Sequence, residues 1–303
     1  NNGLVINGNN YGDALGADQT VGQWYTLPYS TLNSIVLAGD GSAGSSEFRL
    51  IAIRIDGKML IQTGTSVTNV PTIASTVRAN PSAGFSVISY TGNGTRGETV
   101  GHGLNAVPGL LIVKNRSTAA SNPAWGVKHS GLYSNPAAFM KLESTDAFIA
   151  ESASAGALFN ATNPGPSVFT LGDRNTTNSS GDDYIAYCWT PVEGYSAMGS
   201  YTGNGSTDGP FVYTGFRPAF VLLKCSSAAS TYWSIHDNKR LGYNPDQDLL
   251  FPNTADAENA TSYMDFLSNG FKLRISSSFA NASGQTFIYY AVAENPFKTA
   301  RAR

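Results

Sequence analysis

The stretch Gly84–Lys114, GFSVISYTGNGTRGETVGHGLNAVPGLLIVK, returns as Gly194–Lys224, GYSAMGSYTGNGSTDGPFVYTGFRPAFVLLK. Each copy runs Gly, aromatic, Ser, then Ser-Tyr-Thr-Gly-Asn-Gly, a glycine-rich excursion, a proline and a short apolar run ending in Lys. The correspondence continues downstream. Trp125 pairs with Trp233, Phe169-Thr170-Leu171 with Phe271-Lys272-Leu273, Ser180-Gly181 with Ser283-Gly284, and Tyr184–Trp189 (YIAYCW) with Phe287–Val292 (FIYYAV). A chain built this way repeats one supersecondary plan, and that plan limits the fold more than any local propensity does. Equivalent residues are 111 apart at Tyr90 and Tyr201, 108 at the tryptophans and 102 at Phe169 and Phe271. The length differences therefore fall between framework segments, where connections tolerate change.

The repeat divides the 303 residues into an N-terminal piece at 1–80, a first module at 84–193 and a second at 194–303. In the N-terminal piece, Trp24–Leu27 and Ile35–Leu37 precede an alternating run, Glu47–Ile55. Asp56-Gly57 then reads as a two-residue hairpin turn into Lys58–Ile61. This looks like the closing hairpin of a larger sandwich whose opening strands lie upstream. The stretch from Thr65 to Ala83, with Pro71, Pro81 and many small residues, reads as a partly packed linker.

Within the first module the pattern predicts strands near Phe85–Tyr90, Leu110–Asn115, Trp125–His129, Ala138–Leu142, Ser167–Leu171 and Asp183–Trp189. The second predicts them near Ala197–Tyr201, Phe211–Tyr213, Ala219–Lys224, Tyr232–His236, Asp248–Phe251, Gly270–Ile275 and Thr286–Ala293. Helical periodicity is confined to one turn around Asp256–Tyr263. Short strands with turn signals between them predict an all-β chain of tandem antiparallel, jelly-roll-like β-sandwich modules. The closing strands are apolar on both faces, whereas a strand of a two-layer sandwich usually shows one face to water. The spare face must pack on the neighbouring module, a loop or another copy of the chain.

Composition removes several function classes. Charged residues are 13% of the chain and the formal net charge is -2, which gives no field for nucleic acid or an anionic membrane. No apolar run approaches a membrane span. The chain begins at Asn1 without a leader pattern, as expected of a processed chain or part of a longer one. Cys188 and Cys225 align with Ala291 and Asn115, so neither belongs to a duplicated framework disulfide and both read as buried thiols.

The three histidines, His102, His129 and His236, have no metal-ligand or catalytic neighbour at a telling spacing. The carboxylates are Glu98, Glu143, Glu151, Asp182, Asp183 and Glu193 in the first module and Asp208, Asp237, Asp246, Asp248 and Glu294 in the second. They share no pattern of the facing pair that glycoside hydrolysis requires. The acidic loops Asp173–Asp183 and Asp237–Asp248 lack calcium-loop spacing and carry Arg174, Lys239 and Arg240. Sequons abound, among them those at Asn93, Asn115, Asn160, Asn175, Asn204, Asn259 and Asn281, as an Asn-, Ser- and Thr-rich chain produces by chance. The reading is therefore a non-enzyme with no catalytic residue, no metal site and no cofactor. Gly242-Tyr243-Asn244 and Tyr133-Ser134-Asn135 are loops able to stack on sugars, or plain turns.

The second module resembles, through Gly194-Tyr-Ser to Ser-Tyr-Thr-Gly-Asn-Gly, Tyr213-Thr-Gly-Phe-Arg-Pro-Ala-Phe-Val, Asp237-Asn-Lys-Arg-Leu-Gly-Tyr-Asn-Pro, Leu267-Ser-Asn-Gly-Phe-Lys-Leu-Arg, Asn281-Ala-Ser-Gly and Ala293-Glu-Asn-Pro-Phe-Lys, a repeat module of large structural proteins of marine tailed bacteriophages. The first module resembles it more loosely and lacks the Asp-Asn-Lys-Arg stretch. The resemblance implies an extracellular, fibre-like virion appendage on tail or capsid. Its partners would be other virion proteins and a host-surface glycan, without nucleic acid or membrane insertion. It supplies no catalytic residue. The alternatives are a secreted bacterial carbohydrate-binding adhesin and a polysaccharide-degrading tail protein. The spare apolar faces add an expectation of a homo-oligomer, a homotrimer above all, whose symmetry would multiply weak contacts.

Overall fold

A computed structural model describes residues 71–117, 124–152, 156–240, 244 and 246–295, together with five strands nearer the N-terminus. The chain forms two compact units, Asn1–Thr68 and Asn69–Arg303. In the first unit, β1 (Gly3–Ile6) lies between β2 (Asn9–Asn10) and β3 (Ile35–Ala38). A separate antiparallel pair sets β4 (Ala52–Ile55) against β5 (Lys58–Gln62), with Ile55 opposite Lys58; Asp56 and Gly57 lie outside the described residues. The segments Trp24–Leu27 and Glu47–Ile51 lie outside the described residues.

The second unit holds both repeats, and their strands correspond one to one. The first contributes β7 (Phe85–Thr91), β8 (Thr99–Gly101), β9 (Leu110–Asn115), β10 (Trp125–His129), β11 (Ala138–Lys141), β12 (Ile149–Ala150), β13 (Val168–Thr170) and β14 (Asp183–Trp189), preceded by β6 (Ser75–Asn80). The second contributes β15 (Ser196–Thr202), β16 (Phe211–Tyr213), β17 (Pro218–Cys225), β18 (Trp233–Asp237), β19 (Asp246–Leu250), β20 (Asn259–Leu267), β21 (Gly270–Leu273) and β22 (Thr286–Ala293). The sheets run β12-β11-β10-β9-β14-β7-β6 and β15-β22-β17-β18-β19-β20-β21-β16. All described pairings are antiparallel, and β8-β13 forms a separate pair. The duplication is kept to the residue: Trp125 stands opposite Lys114 and Trp233 opposite Lys224.

Two differences separate the plans: β6 flanks β7 in the first sheet where its equivalent β15 is terminal in the second, and the path between the fifth and seventh strands differs. A tight turn after Leu267 lets β20 pair directly with β21, so the second repeat makes one continuous sheet. The first repeat instead passes through a long loop between β12 and β13, and Leu158 and Phe159 from that loop fill its core.

Alternation sorts the apolar side chains into three cores. Ile88, Tyr90, Leu111, Val113, Tyr184, Ala186 and Cys188 point to one face of the first sheet and meet Val100, Phe169 and Leu171 from the β8-β13 side. Val221, Leu223, Tyr289 and Ala291 do the same in the second repeat against Val212, Phe271, Met264 and Phe266. The third core joins the repeats: Leu110, Ile112, Val127, Leu132, Ala138 and Met140 pack with Trp233 and Ile288, flanked by Trp189, Met198, Leu222 and Tyr290. The spare face of each closing strand thus packs in part on the neighbouring repeat of the same chain, through Trp189 of β14 and Ile288 and Tyr290 of β22, while Ile185 and Tyr187 stay half-buried.

Two expectations are corrected. Asn259–Leu267, entered by the supposed helical turn, is the nine-residue strand β20. Its Tyr263, Met264, Asp265 and Phe266 are buried between neighbouring strands, which mixes the apolar spacing enough to imitate a helical period. The supposed linker contains β6, which pairs with β7 from Ser75–Tyr90 to Asn80–Phe85. Strand β6 is almost wholly exposed and polar, so no buried stripe marks it in the sequence.

Candidate functional site

The duplicated Tyr-Thr-Gly-Asn-Gly stretch has the regularity of a functional motif, and the structure accounts for its residues as scaffold. Tyr90 donates its hydroxyl proton to Thr177 O at 2.7 Å and Tyr201 donates to Ala280 O at 2.6 Å. A Cβ on Gly92 would lie 2.3 Å from Ser179 O, and one on Gly203 2.3 Å from Ala282 O, so the chain passes too close for any side chain. Gly94 and Gly205 take left-handed conformations with φ of 73° and 69°. The Asn93 and Asn204 N–H groups donate to Oδ1 of Asn178 and Asn281, both at 2.9 Å. Those two asparagines are fully buried. Asn178 returns Nδ2 bonds to Thr95 O and Gly172 O, and Asn281 to Ser206 O and Ile275 O. Sequence reasoning missed this pair, although Asn178 and Asn281 each stand two residues before the duplicated Ser-Gly. Asn281, which opens a sequon, has no free amide to modify, and the Asn115 amide is likewise engaged by Asn175 O and Asp182.

The histidines are structural. His129 is buried between the repeats, where Nε2 donates to Tyr289 O at 3.0 Å and Nδ1 accepts from Gly131 N at 3.0 Å. That arrangement requires the neutral ring, and burial pushes its pKa down to about 4. His102 lies similarly between Gly165 O and Leu104 N, its pKa lowered by burial. His236, also buried, contacts Ser234 Oγ.

Several of the carboxylates serve as caps and ion-pair partners. Glu151 accepts from the N–H groups of Leu158, Phe159 and Ala161, holding the long loop of the first repeat. Glu143 caps Trp125 N, Asp183 accepts from Thr91, Asp237 pairs with Arg240 and Glu294 with Arg217. Among the described residues, no group of three or more His, Cys, Asp or Glu side chains converges. Cys188 and Cys225 are free and buried, and burial raises the Cys188 thiol far above its usual range. Lys128 and Lys224 are buried too, each pushed down to about 8 by desolvation. Lys224 donates to Thr231 O and to Thr145 O across the repeat boundary.

The two aromatic loops behave as turns where they are described. Tyr133 gives its hydroxyl to Pro108 O and Asn135 caps Ala137 N. Asn244 exchanges bonds with the backbone of Phe266; Gly242 and Tyr243 lie outside the described residues. Exposed aromatic rings lie elsewhere: Phe148 just before β12, and an adjacent pair on β16 at the end of the second sheet. Phe211 is 45% exposed and Tyr213 67%, while Val212 between them points into the core. The Phe211 ring lies over Gly270, where a Cβ would approach it to 2.9 Å. Beside it, Lys272 reaches Asp208 at 2.8 Å and Gly209 O at 2.9 Å. The sequence marks Phe211–Tyr213 as a strand and nothing more, because exposure at a sheet edge leaves no periodic signature.

No curated protein and no solved structure matches the chain. One family model does, over residues 60–296, which takes in every strand of both repeats, β6 and the last residues of β5. With most of its length matched, the chain belongs to the family described as a domain of unknown function, DUF7483.

Proposed function

We propose that this chain is a non-catalytic structural segment of a fibre-like bacteriophage appendage, outside the cell, that contributes to attachment at the host surface. The observation that carries the reading is the fusion of two copies of one β-module back to back through a shared core, with the duplicated motif spent on holding turns. Such a body is rigid and displays loops and sheet edges. Its histidines and many of its carboxylates are engaged in local hydrogen bonds and ion pairs, an arrangement that favours display over hydrolysis. The likeness of the second repeat to marine phage structural proteins supports the same reading.

The apolar faces that suggested a homotrimer are partly covered within the chain, which leaves half-buried Ile185 and Tyr187 and the sheet edges as the surfaces for a three-fold assembly. The exposed pair Phe211 and Tyr213 also favours a second reading, a secreted bacterial glycan-binding adhesin. Antibody raised against the chain separates the two. Gold labelling of purified tailed particles is the expected result. Absence from particles, with secretion by uninfected cells, would sink the virion assignment.

A further inference from the structure

The two repeats provide an internal comparison at the β8 and β16 edges. Val100 faces Phe169 in the first as Val212 faces Phe271 in the second, so Thr99 and Gly101 correspond to Phe211 and Tyr213. The inward pair is retained because the core needs it. The outward pair has diverged completely.

In the first repeat this edge is already occupied by the chain. Thr99 O accepts from Thr72 N and Ile73 N, both at 3.0 Å, and Thr99 N donates to Thr72 Oγ1 at 2.7 Å. Pro71 covers Gly101, with its Cγ 2.9 Å from where a Cβ would stand. In the second repeat β16 is the terminal strand of its sheet. Pro210 and Thr214 bond to the β21 side, so by antiparallel alternation the backbone groups of Phe211 and Tyr213 point off the edge. No described residue meets them there. The fold therefore tolerates this edge without aromatics, and in the second repeat it carries two.

We infer that the β16 edge is a binding site for an uncharged oligosaccharide. Phe211 and Tyr213 would stack on pyranose rings, while the free edge amides and carbonyls and the Lys272–Asp208 pair would bond the hydroxyls. The inference rests on the adhesive reading above and names its ligand class. Three observations select this occupant. The nearby charges are matched in place, Lys272 with Asp208 and Arg274 with Asp265, leaving no excess charge to attract a polyanion. Two partly exposed rings offer roughly 200 Å² of apolar surface, far below the ~800 Å² per partner of a stable protein interface. Flat rings beside unpaired backbone donors and acceptors match the alternating apolar faces and hydroxyl rims of a sugar.

The test uses the full chain on an array of neutral oligosaccharides from bacterial capsules and lipopolysaccharides, with saturation-transfer NMR on the bound compounds. Wild type is expected to bind at least one. The F211A/Y213A double variant should lose about tenfold or more in affinity, and F211Y/Y213F should retain it, because stacking survives exchange of one ring for the other. Unchanged thermal unfolding of the double variant establishes that the fold is intact. No bound glycan, or binding indifferent to F211A/Y213A, overturns the inference. So does light scattering that shows the double variant abolishing self-association, which would make the edge an interface between copies. Gold-labelled particles without glycan binding would leave the virion reading standing and remove this site; glycan binding by a chain absent from particles would do the reverse.

Discussion

His129 of the first repeat donates a hydrogen bond to the main-chain carbonyl of Tyr289 in the second, closing the shared core at one end. The ring is neutral there, with its pKa near 4 against an ordinary value of 6.5. Between those values the unfolded chain binds more protons than the folded one, so stability is complete above about pH 6.5 and falls as pH drops toward 4. A difference of this size corresponds to roughly 3 kcal/mol, and His102 adds in the same direction. Denaturant titrations from pH 7.5 down to 4.5 should show the loss, and H129Q should flatten its slope. An equal slope in wild type and H129Q would refute the assignment.

Removing the buried asparagines should damage both repeats alike. N178A and N281A each leave several backbone groups of a buried turn without partners, at about 2–4 kcal/mol per site. Calorimetry should find both variants well below wild type in Tm. A change within about 0.5 kcal/mol, the range of ordinary surface substitutions, would show that the turns hold without them.

The tryptophans, equivalent in register, should not be equivalent in energy. Trp233 is buried and donates Nε1 to Lys141 O at 3.0 Å, whereas Trp125 is half-buried beside the Lys114 ammonium. W233A should cost about 3–5 kcal/mol and W125A distinctly less. Equal losses on denaturant titration would mean that the shared core does not depend on Trp233.

Both cysteines should resist thiol reagents in the native state and react together on unfolding. Each is buried, and the Cys188 thiolate is strongly disfavoured. Rapid native labelling of either, or a disulfide in the intact chain under non-reducing mass spectrometry, would contradict this.

The strand pattern was legible where side chains alternate in burial, as in Phe85–Thr91 and Asp183–Trp189, and the duplication carried the same reading to Ser196–Thr202, whose own burial does not alternate. Strands with little buried alternation were not. Thr99–Gly101 is small and lies among glycines, where Phe211–Tyr213 has aromatic and β-branched side chains; Ile149–Ala150 is too short to show a period, and β6 buries almost nothing. The apolar second face of Tyr184–Trp189 announced a partner surface but could not name it, since a residue buried by a neighbouring repeat looks the same in sequence as one buried by another copy. Of the candidate site, the strand Phe211–Tyr213 was visible. Its exposure follows from the end position of β16, a property of topology with no local residue signal.

Back-to-back packing also sets an arithmetic. Each repeat has one spare apolar face, and the Leu110–Trp233 core uses both. A third repeat of the same kind would not find the Leu110–Met140 face of the pair free to dock against. Longer chains built from this module should therefore grow by twos, with an unpaired copy at either end exposing the face that Ile112, Val127 and Met140 occupy here.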